Sequence, residues 1–134
     1  MNISAMIADE GDRALVADVC ARRQWPVHFT GNCDETWKAL NQRKAPIVLC
    51  DRDLAGTEWR ETLHMMASSP HHACAILLSR VADDYLRDEV IHQGGYDVLP
   101  KPLREEDVVK SVRLALSYWG SSANAPPSRF EHHH

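Results

Sequence analysis

Residues 47–56 have the sequence IVLCDRDLAG, and this stretch decides the fold class. Its first four residues form an unbroken apolar run, which is typical of a strand buried on both faces, as in a parallel sheet. The run ends abruptly at Asp51, and Asp53 and a glycine follow. In open sheets with helices on both faces, ligand sites lie beyond the carboxyl ends of the strands. The stretch therefore predicts a buried strand that places a carboxylate at the edge of the sheet where ligand sites lie.

Three further apolar runs also end in polar or charged side chains. These ends are Asp9 and Glu10 after residues 6–8, Ser79 after residues 75–78, and Lys101 shortly after residues 98–99. Because the carboxyl ends of parallel strands lie at one edge of a sheet, the acids, the hydroxyl and the lysine are expected to converge there with Asp51.

The whole chain predicts five alternations of strand and helix. The predicted strands cover about residues 3–8, 27–29, 47–50, 73–78 and 97–99, and the predicted helices about 12–23, 34–43, 57–67, 83–93 and 105–119. Asp12 is the expected cap of the first helix, and Trp37 and Leu40 form the expected buried face of the second. Alternation with short loops predicts an α/β fold with a doubly wound, five-stranded parallel sheet.

Composition limits the functional classes that need attention. The chain has 134 residues, a formal charge of −4 and a pI near 6.0, so it carries no global basic footprint for nucleic acid. No apolar run approaches the length of a membrane span, and no signal-peptide layout is visible at the amino terminus. The four cysteines have no CxxC spacing, which favours reduced thiols in a cytoplasmic protein.

The carboxyl-terminal residues differ from the rest of the chain in composition. Residues 1–119 form the expected folded domain, and residues 120–130 have the composition of a linker. Residues 131–134, Glu-His-His-His, have the sequence of a purification-tag remnant and are excluded from the fold prediction.

Residues 3–117 resemble the CheY-like receiver domain of response regulators in bacterial two-component systems. The resemblance rests on five features: Asp9-Glu10, Asp51 with the following Arg-Asp-Leu-Ala-Gly, Ser79, Gly94-Gly95-Tyr96-Asp97, and Lys101-Pro102. It implies a flavodoxin-like fold with strand order 2-1-3-4-5. It also implies that Asp51 accepts a phosphoryl group from a phosphohistidine on a histidine kinase or a phosphotransfer protein.

The resemblance also implies a role for each site residue. Asp51 is the implied nucleophile, Lys101 the cation on a phosphoryl oxygen, and Ser79 the hydroxyl that responds to phosphorylation. Mg²⁺ is the implied cofactor, held by Asp9, Glu10, Asp51 and the main-chain carbonyl of Asp53. The acidic pair of the family falls either on residues 8–9 or on residues 9–10, and the sequence leaves both registers open.

Close packing of these acids carries an expectation about stability. Two carboxylates about 4 Å apart repel by roughly 4 kcal/mol at an effective dielectric constant of 20. Asp51→Asn is therefore expected to raise stability in the absence of metal.

Two departures from the family pattern concern signalling. Val98 stands where receivers usually carry Tyr or Phe, and Tyr96 is expected on the same face of the strand. Arg80 follows Ser79, where receivers mostly carry a small residue, and this side chain is expected either to hinder the pocket or to supply a second cation.

Two functional hypotheses follow. The first is a phosphoacceptor switch with, at most, self-phosphorylation and slow autodephosphorylation as its activity. The second is a pseudo-receiver, a protein-interaction module that works without phosphorylation. A downstream effector domain or protein and a homodimer through helix four, strand five and helix five are the further partners that the resemblance implies.

Overall fold

The computed structural model describes residues 2–43, 46–68 and 73–124, and within them strands and helices alternate strictly. The strands are β1 (Ile3–Met6), β2 (Val27–Phe29), β3 (Ile47–Asp51), β4 (Cys74–Ser79) and β5 (Asp97–Pro100). The helices are α1 (Glu10–Arg22), α2 (Cys33–Arg43), α3 (Trp59–Ala67), α4 (Asp84–His92) and α5 (Glu105–Asn124). All ten predicted elements are present.

The five strands form one parallel sheet in the order β2-β1-β3-β4-β5, which confirms the predicted doubly wound, flavodoxin-like α/β fold. The register places Asp51 opposite Leu78 and Ser79 opposite Pro100. The carboxyl ends of β3, β4 and β5 therefore lie side by side at one edge of the sheet.

Both faces of the sheet are covered by helices, which explains why its strands are continuous apolar runs. Alternate strand residues such as Leu49 and Ile76 pack toward α1 and α5, whereas Cys50 and Leu77 pack toward α2, α3 and α4. All four of these side chains are completely buried. Burial of one large aliphatic side chain contributes about 1.5–3 kcal/mol, so these two layers hold the strand ends in place.

The first helix begins two residues earlier than predicted, and its cap differs from the expected one. Asp9 is the N-cap residue, and its Oδ2 accepts a hydrogen bond of 2.9 Å from the backbone N–H of Asp12. An N-cap side chain satisfies a backbone donor that has no partner inside the helix. The prediction that Asp12 caps this helix is therefore wrong, and its carboxylate is free for another contact.

Two details of the later helices also differ from prediction. Trp37 is only half-buried, and the buried face of α2 consists of Thr36, Ala39 and Leu40. The last helix continues to Asn124 instead of ending near Trp119, so the first residues of the expected linker are helical. Residues 125–134, with the remaining linker and the expected tag remnant, lie outside the described residues.

Tyr96 and Val98 pack on opposite faces of the sheet, contrary to the prediction from strand alternation. Tyr96 contacts the layer beneath α1 and α5, and Val98 is buried in the layer beneath α3 and α4. The reason is that β5 begins only at Asp97, so the strand period does not extend back to Tyr96.

No helix in the described part of the chain is both long enough and apolar enough to cross a membrane.

All four cysteines are free thiols, and they differ in burial. Cys20, Cys50 and Cys74 are buried, whereas Cys33 is half-buried and its Sγ lies 3.1 Å from Thr62 Oγ1. Burial raises the pKa of the Cys20 thiol to about 11 and that of the Cys50 thiol to about 12.

We predict that only Cys33 reacts quickly with a thiol reagent in the folded protein at pH 8. The thiolate is the reactive form. Burial limits access at the other three positions and suppresses the ionisation of Cys20 and Cys50. Stopped-flow labelling with Ellman's reagent is expected to show one fast thiol, which Cys33→Ser removes and Cys20→Ser leaves. A fast phase that persists in Cys33→Ser would show that the reagent reaches one of the other three cysteines in the folded protein.

Candidate functional site

The candidate site lies at the sheet edge where β3, β4 and β5 end. Asp51 is the last residue of β3 and Ser79 the last residue of β4, and their exposed fractions are 5% and 1%. The backbone N–H of Lys101, just beyond β5, donates to the carbonyl of Ser79 at 2.9 Å. The Lys101–Pro102 peptide bond is cis. The sheet thus brings together the three residues that the sequence predicts as nucleophile, hydroxyl and lysine.

Both carboxylate oxygens of Asp51 have a donor. The backbone N–H of Asp53 donates to Oδ1 at 3.0 Å, and the ammonium of Lys101 donates to Oδ2 at 2.5 Å. The side chains of Lys101 and Asp51 are only 11% and 6% exposed. Because little water reaches this pair, the contact is electrostatically stronger than a surface ion pair.

The same ammonium also contacts Asp12 of α1. Lys101 Nζ lies 3.1 Å from Asp12 Oδ2, so two carboxylates share one ammonium group and one negative charge remains. Partial burial lowers the pKa of Lys101, but the hydrogen bonds and charges of Asp51 and Asp12 outweigh it and raise the pKa above its ordinary value. Lys101 is therefore a positively charged group that connects Asp51 of β3 to Asp12 of α1.

Sequence reasoning missed Asp12 as a member of the site. The available signal was its place in the first turn of α1, next to the end of β1, but that place depends on where the helix begins. An earlier helix start moves Asp12 from the cap position to the interior of the first turn, and its side chain then reaches Lys101.

The two acids that the sequence predicts as metal ligands, Asp9 and Glu10, lie at the start of α1, and within the described residues neither forms an ion pair with Lys101. Asp9 is exposed and caps α1, and Glu10 is the exposed first residue of that helix. Among the described residues, no group of three or more histidine, cysteine, aspartate or glutamate side chains is arranged to hold a metal ion. A ligating role for Asp9, Glu10 and the carbonyl of Asp53 stays a prediction.

The chemistry of the donor set nevertheless suits a hard cation. Asp51 and Asp12 present carboxylate oxygens to one cation already, and their combined charge exceeds that of the ammonium between them. Carboxylate oxygens are the ligands that Mg²⁺ prefers, with water completing its shell.

The Ser79 hydroxyl accepts two hydrogen bonds, and neither of them uses its own proton. Its Oγ accepts from the backbone N–H of Val81 at 3.1 Å and from Nη1 of Arg52 at a longer 3.4 Å. A hydroxyl has two acceptor lone pairs and one donor hydrogen. Since both lone pairs are occupied, the proton of Ser79 is available to an acceptor that enters the site.

The cation beside Ser79 is Arg52 and not Arg80. Arg80 is exposed, and it has no hydrogen bond or ion pair with any residue that the structure describes. No contact of Arg80 therefore supports either expected effect, hindrance of the pocket or supply of a second cation. Arg52, which directly follows Asp51, was not singled out from the sequence for this position.

Val98 fills the position where receivers usually carry an aromatic ring. It is 1% exposed and packs in the same layer as Leu86 and Val90 of α4. Its carbonyl accepts a long hydrogen bond of 3.4 Å from Arg87, whose Nε also lies 3.4 Å from Asp97. The contact between α4 and β5 is therefore aliphatic at its centre and ionic at its rim.

The sequence matches no family model, and no curated protein matches it. The structure, in contrast, is similar to solved response regulators. One is the signal receiver domain of an HD domain-containing protein from Pseudomonas fluorescens Pf-5, with a TM-score of 0.81 and 19% identity over 92% of this chain and 91% of that chain. The chain has the fold of a response regulator receiver domain.

Two further solved structures support the same receiver fold. The chemotaxis response regulator CheY4 of Vibrio cholerae has a TM-score of 0.76 and 13% identity, with 85% of this chain and 97% of that chain covered. NtrX from Brucella abortus has a TM-score of 0.80 and 18% identity, with 92% of this chain but only 29% of that chain covered. The predicted resemblance is thus confirmed at the level of the fold.

The shared ammonium changes the expected effect of Asp51→Asn on stability. Repulsion among the acids alone would give a gain in stability, but the Asp51 charge is balanced by Lys101. We now predict that Asp51→Asn lowers the free energy of unfolding by about 1 kcal/mol, because Lys101 keeps Asp12 as its partner. Lys101→Met is expected to cost about 3 kcal/mol, because it leaves two facing carboxylates without a cation.

Urea unfolding at pH 7 without divalent metal tests this order. Lys110→Met, on the exposed face of α5, is the matched control and is expected to leave stability nearly unchanged. A larger loss for Asp51→Asn than for Lys101→Met, or a gain for Asp51→Asn, would contradict the shared-ammonium arrangement.

The raised pKa of Lys101 predicts a pH dependence in the alkaline range. A group with a raised pKa in the folded state stabilises fully below its unfolded pKa, about 10.4 for lysine, and stops doing so as pH rises through the folded value. The stability difference between the wild type and Lys101→Met is therefore expected to be constant from pH 7 to pH 9 and to shrink above the unfolded pKa. A difference that grows with pH in urea titrations would refute this.

Proposed function

We propose that this chain is a phosphoacceptor switch in a two-component phosphorelay, with Asp51 as the residue that accepts the phosphoryl group. The observation that carries the proposal is the nearly buried contact between Asp51 and Lys101, with the Ser79 hydroxyl at the end of the neighbouring strand. The receiver fold supports the class of function, and the donor is a phosphohistidine on a histidine kinase or a phosphotransfer protein.

The chemistry assigned to Asp51 is an in-line displacement at phosphorus. A carboxylate oxygen of Asp51 forms a new bond to phosphorus while the bond from phosphorus to the histidine nitrogen breaks, and the electron pair returns to the imidazole. The product is an acyl phosphate, whose oxygens carry the charge that the carboxylate loses. Lys101 is then close enough to pair with a phosphoryl oxygen, and the free proton of Ser79 supplies a donor to another.

Mg²⁺ is the cofactor that this chemistry implies. The carboxylates of Asp51 and Asp12 would hold it, together with the donors predicted from the resemblance, namely Asp9, Glu10 and the main-chain carbonyl of Asp53. When bound, the ion would neutralise charge on the phosphoryl oxygens. Asp12 is an addition to the predicted set, made because it shares the ammonium of Lys101 with Asp51.

The output of the proposed switch is a protein contact. Some structures with this fold are receivers within larger proteins, such as the HD domain-containing protein and NtrX. We assign to this chain an effector domain or protein as its downstream partner, a cytoplasmic location, and no direct contact with nucleic acid or membrane. The proposed homodimer face includes Tyr85 of α4, which is 82% exposed, and Leu114 of α5, which is 51% exposed.

A second candidate function is a pseudo-receiver that binds partners without phosphorylation. Two observations favour it: no group of three or more acidic, histidine or cysteine side chains among the described residues is arranged to hold a metal ion, and Val98 has no ring to change rotamer. This candidate predicts the same fold and the same exposed face on α4 and α5, but no phosphoryl transfer.

Acetyl phosphate distinguishes the two candidates. We expect the wild type, incubated with acetyl phosphate and Mg²⁺, to gain the mass of one phosphoryl group in rapid mass spectrometry, and to gain none after EDTA treatment. Asp51→Asn is expected to abolish the gain because an amide is a poor nucleophile. Asp53→Asn, which changes an exposed acid two residues away, is expected to retain it.

Two results would count against the phosphoacceptor function. One is a wild type that stays unmodified, which would favour the pseudo-receiver. The other is a mass gain that persists in Asp51→Asn, which would place the phosphoryl group on another residue.

A further inference from the structure

Arg52 contacts the Ser79 hydroxyl beside the proposed phosphoacceptor. We infer that Arg52 is a positioning residue for Ser79: its guanidinium holds the serine oxygen so that the hydroxyl proton is directed to the phosphoryl group on Asp51. This inference rests on the proposed phosphoacceptor function. Arg52 would take part in the reaction through its hydrogen bond to the Ser79 hydroxyl at the end of β4.

The first support is the hydrogen-bond arrangement at Ser79. Its hydroxyl oxygen accepts hydrogen bonds from Arg52 and from the backbone N–H of Val81. Ser79 is only 1% exposed. Without Arg52, one lone pair would be open and the hydroxyl could rotate to other directions. With Arg52, the proton is confined to the side that neither donor occupies.

The second support is that the Arg52 guanidinium makes no direct ion pair, although its charge does help to lower the pKa of the Glu89 carboxyl. This half-buried guanidinium has no carboxylate at ion-pairing distance among the residues that the structure describes. Its other contact is the ring of Trp59, whose centroid lies 5.8 Å from its central carbon. A partly desolvated cation without a direct ion-pair partner is a favourable neighbour for an entering dianion.

A neighbouring arginine shows the contrast. Arg60 also packs on the ring of Trp59, at 4.4 Å, but it donates to both carboxylate oxygens of Glu89 on α4 at 2.8 and 3.0 Å. Its charge is therefore already balanced within the protein. The ring of Trp59, 5% exposed, thus contacts one arginine that is directly ion-paired and one that is not.

A coupling experiment tests this inference. The rate of phosphoryl gain from acetyl phosphate with Mg²⁺ is measured for the wild type, Arg52→Ala, Arg52→Lys, Ser79→Ala and the double variant Arg52→Ala/Ser79→Ala. We expect Arg52→Ala to slow the reaction about fivefold, the ratio that corresponds to one typical net hydrogen bond. Arg52→Lys is expected to restore part of the rate, because it returns a positive charge with one donor group.

The phosphorylation rate of the double variant distinguishes a positioning role of Arg52 from a merely structural one. If Arg52 acts through the Ser79 hydroxyl, the double variant reacts as slowly as Ser79→Ala alone, so the effect of Arg52→Ala disappears in that background. Arg80→Ala, which removes the exposed neighbouring arginine, is expected to react at the wild-type rate. Circular dichroism confirms that each variant is folded before its rate is compared.

The outcomes separate this inference from the proposed function. A wild type that gains no phosphoryl mass overturns both. A wild type that is phosphorylated, with Arg52→Ala slowing the reaction by the same factor with and without Ser79, overturns the positioning role alone. An effect of Arg80→Ala as large as that of Arg52→Ala would also overturn it, because general surface charge would then explain the loss.

Discussion

The candidate site depends on one ammonium group that serves two carboxylates. Lys101 reaches Asp51 at the end of β3 and Asp12 in the first turn of α1, and thereby ties together parts of the chain that are distant in sequence. Charges so poorly exposed to water are costly to leave unpaired. The lysine therefore balances the acids in the resting protein and stands beside the oxygen at which we propose that phosphoryl transfer begins.

The two-layered core makes this contact possible. Each central strand is buried on both faces, so its carboxyl end cannot move relative to its neighbour without disturbing two packed layers of side chains. The parallel register then fixes Asp51 beside the end of β4 and Ser79 beside the end of β5. Rigid strands thus supply the positions, and the loops after them supply the backbone donors that orient the side chains.

Consecutive residues at the end of β3 serve different partners. Asp51 contacts Lys101, whereas Arg52 turns to Ser79 and to the ring of Trp59 in α3. The same ring carries Arg60, which is bonded to Glu89 of α4. The residue that follows the proposed phosphoacceptor is therefore linked through Trp59 and Arg60 to α4, a helix of the proposed homodimer face, without the aromatic residue that receivers usually place where Val98 stands.

The sequence by itself determined the order and type of the ten elements, the parallel sheet and the convergence of Asp51, Ser79 and Lys101. Apolar runs report burial on both faces, and strand ends in a parallel sheet share an edge. Only the tertiary structure decided that Asp12 meets Lys101 while Asp9 caps α1. An N-cap residue has non-helical dihedral angles, so Asp12 inside the first turn of α1 directs its side chain differently from an Asp12 that caps the helix.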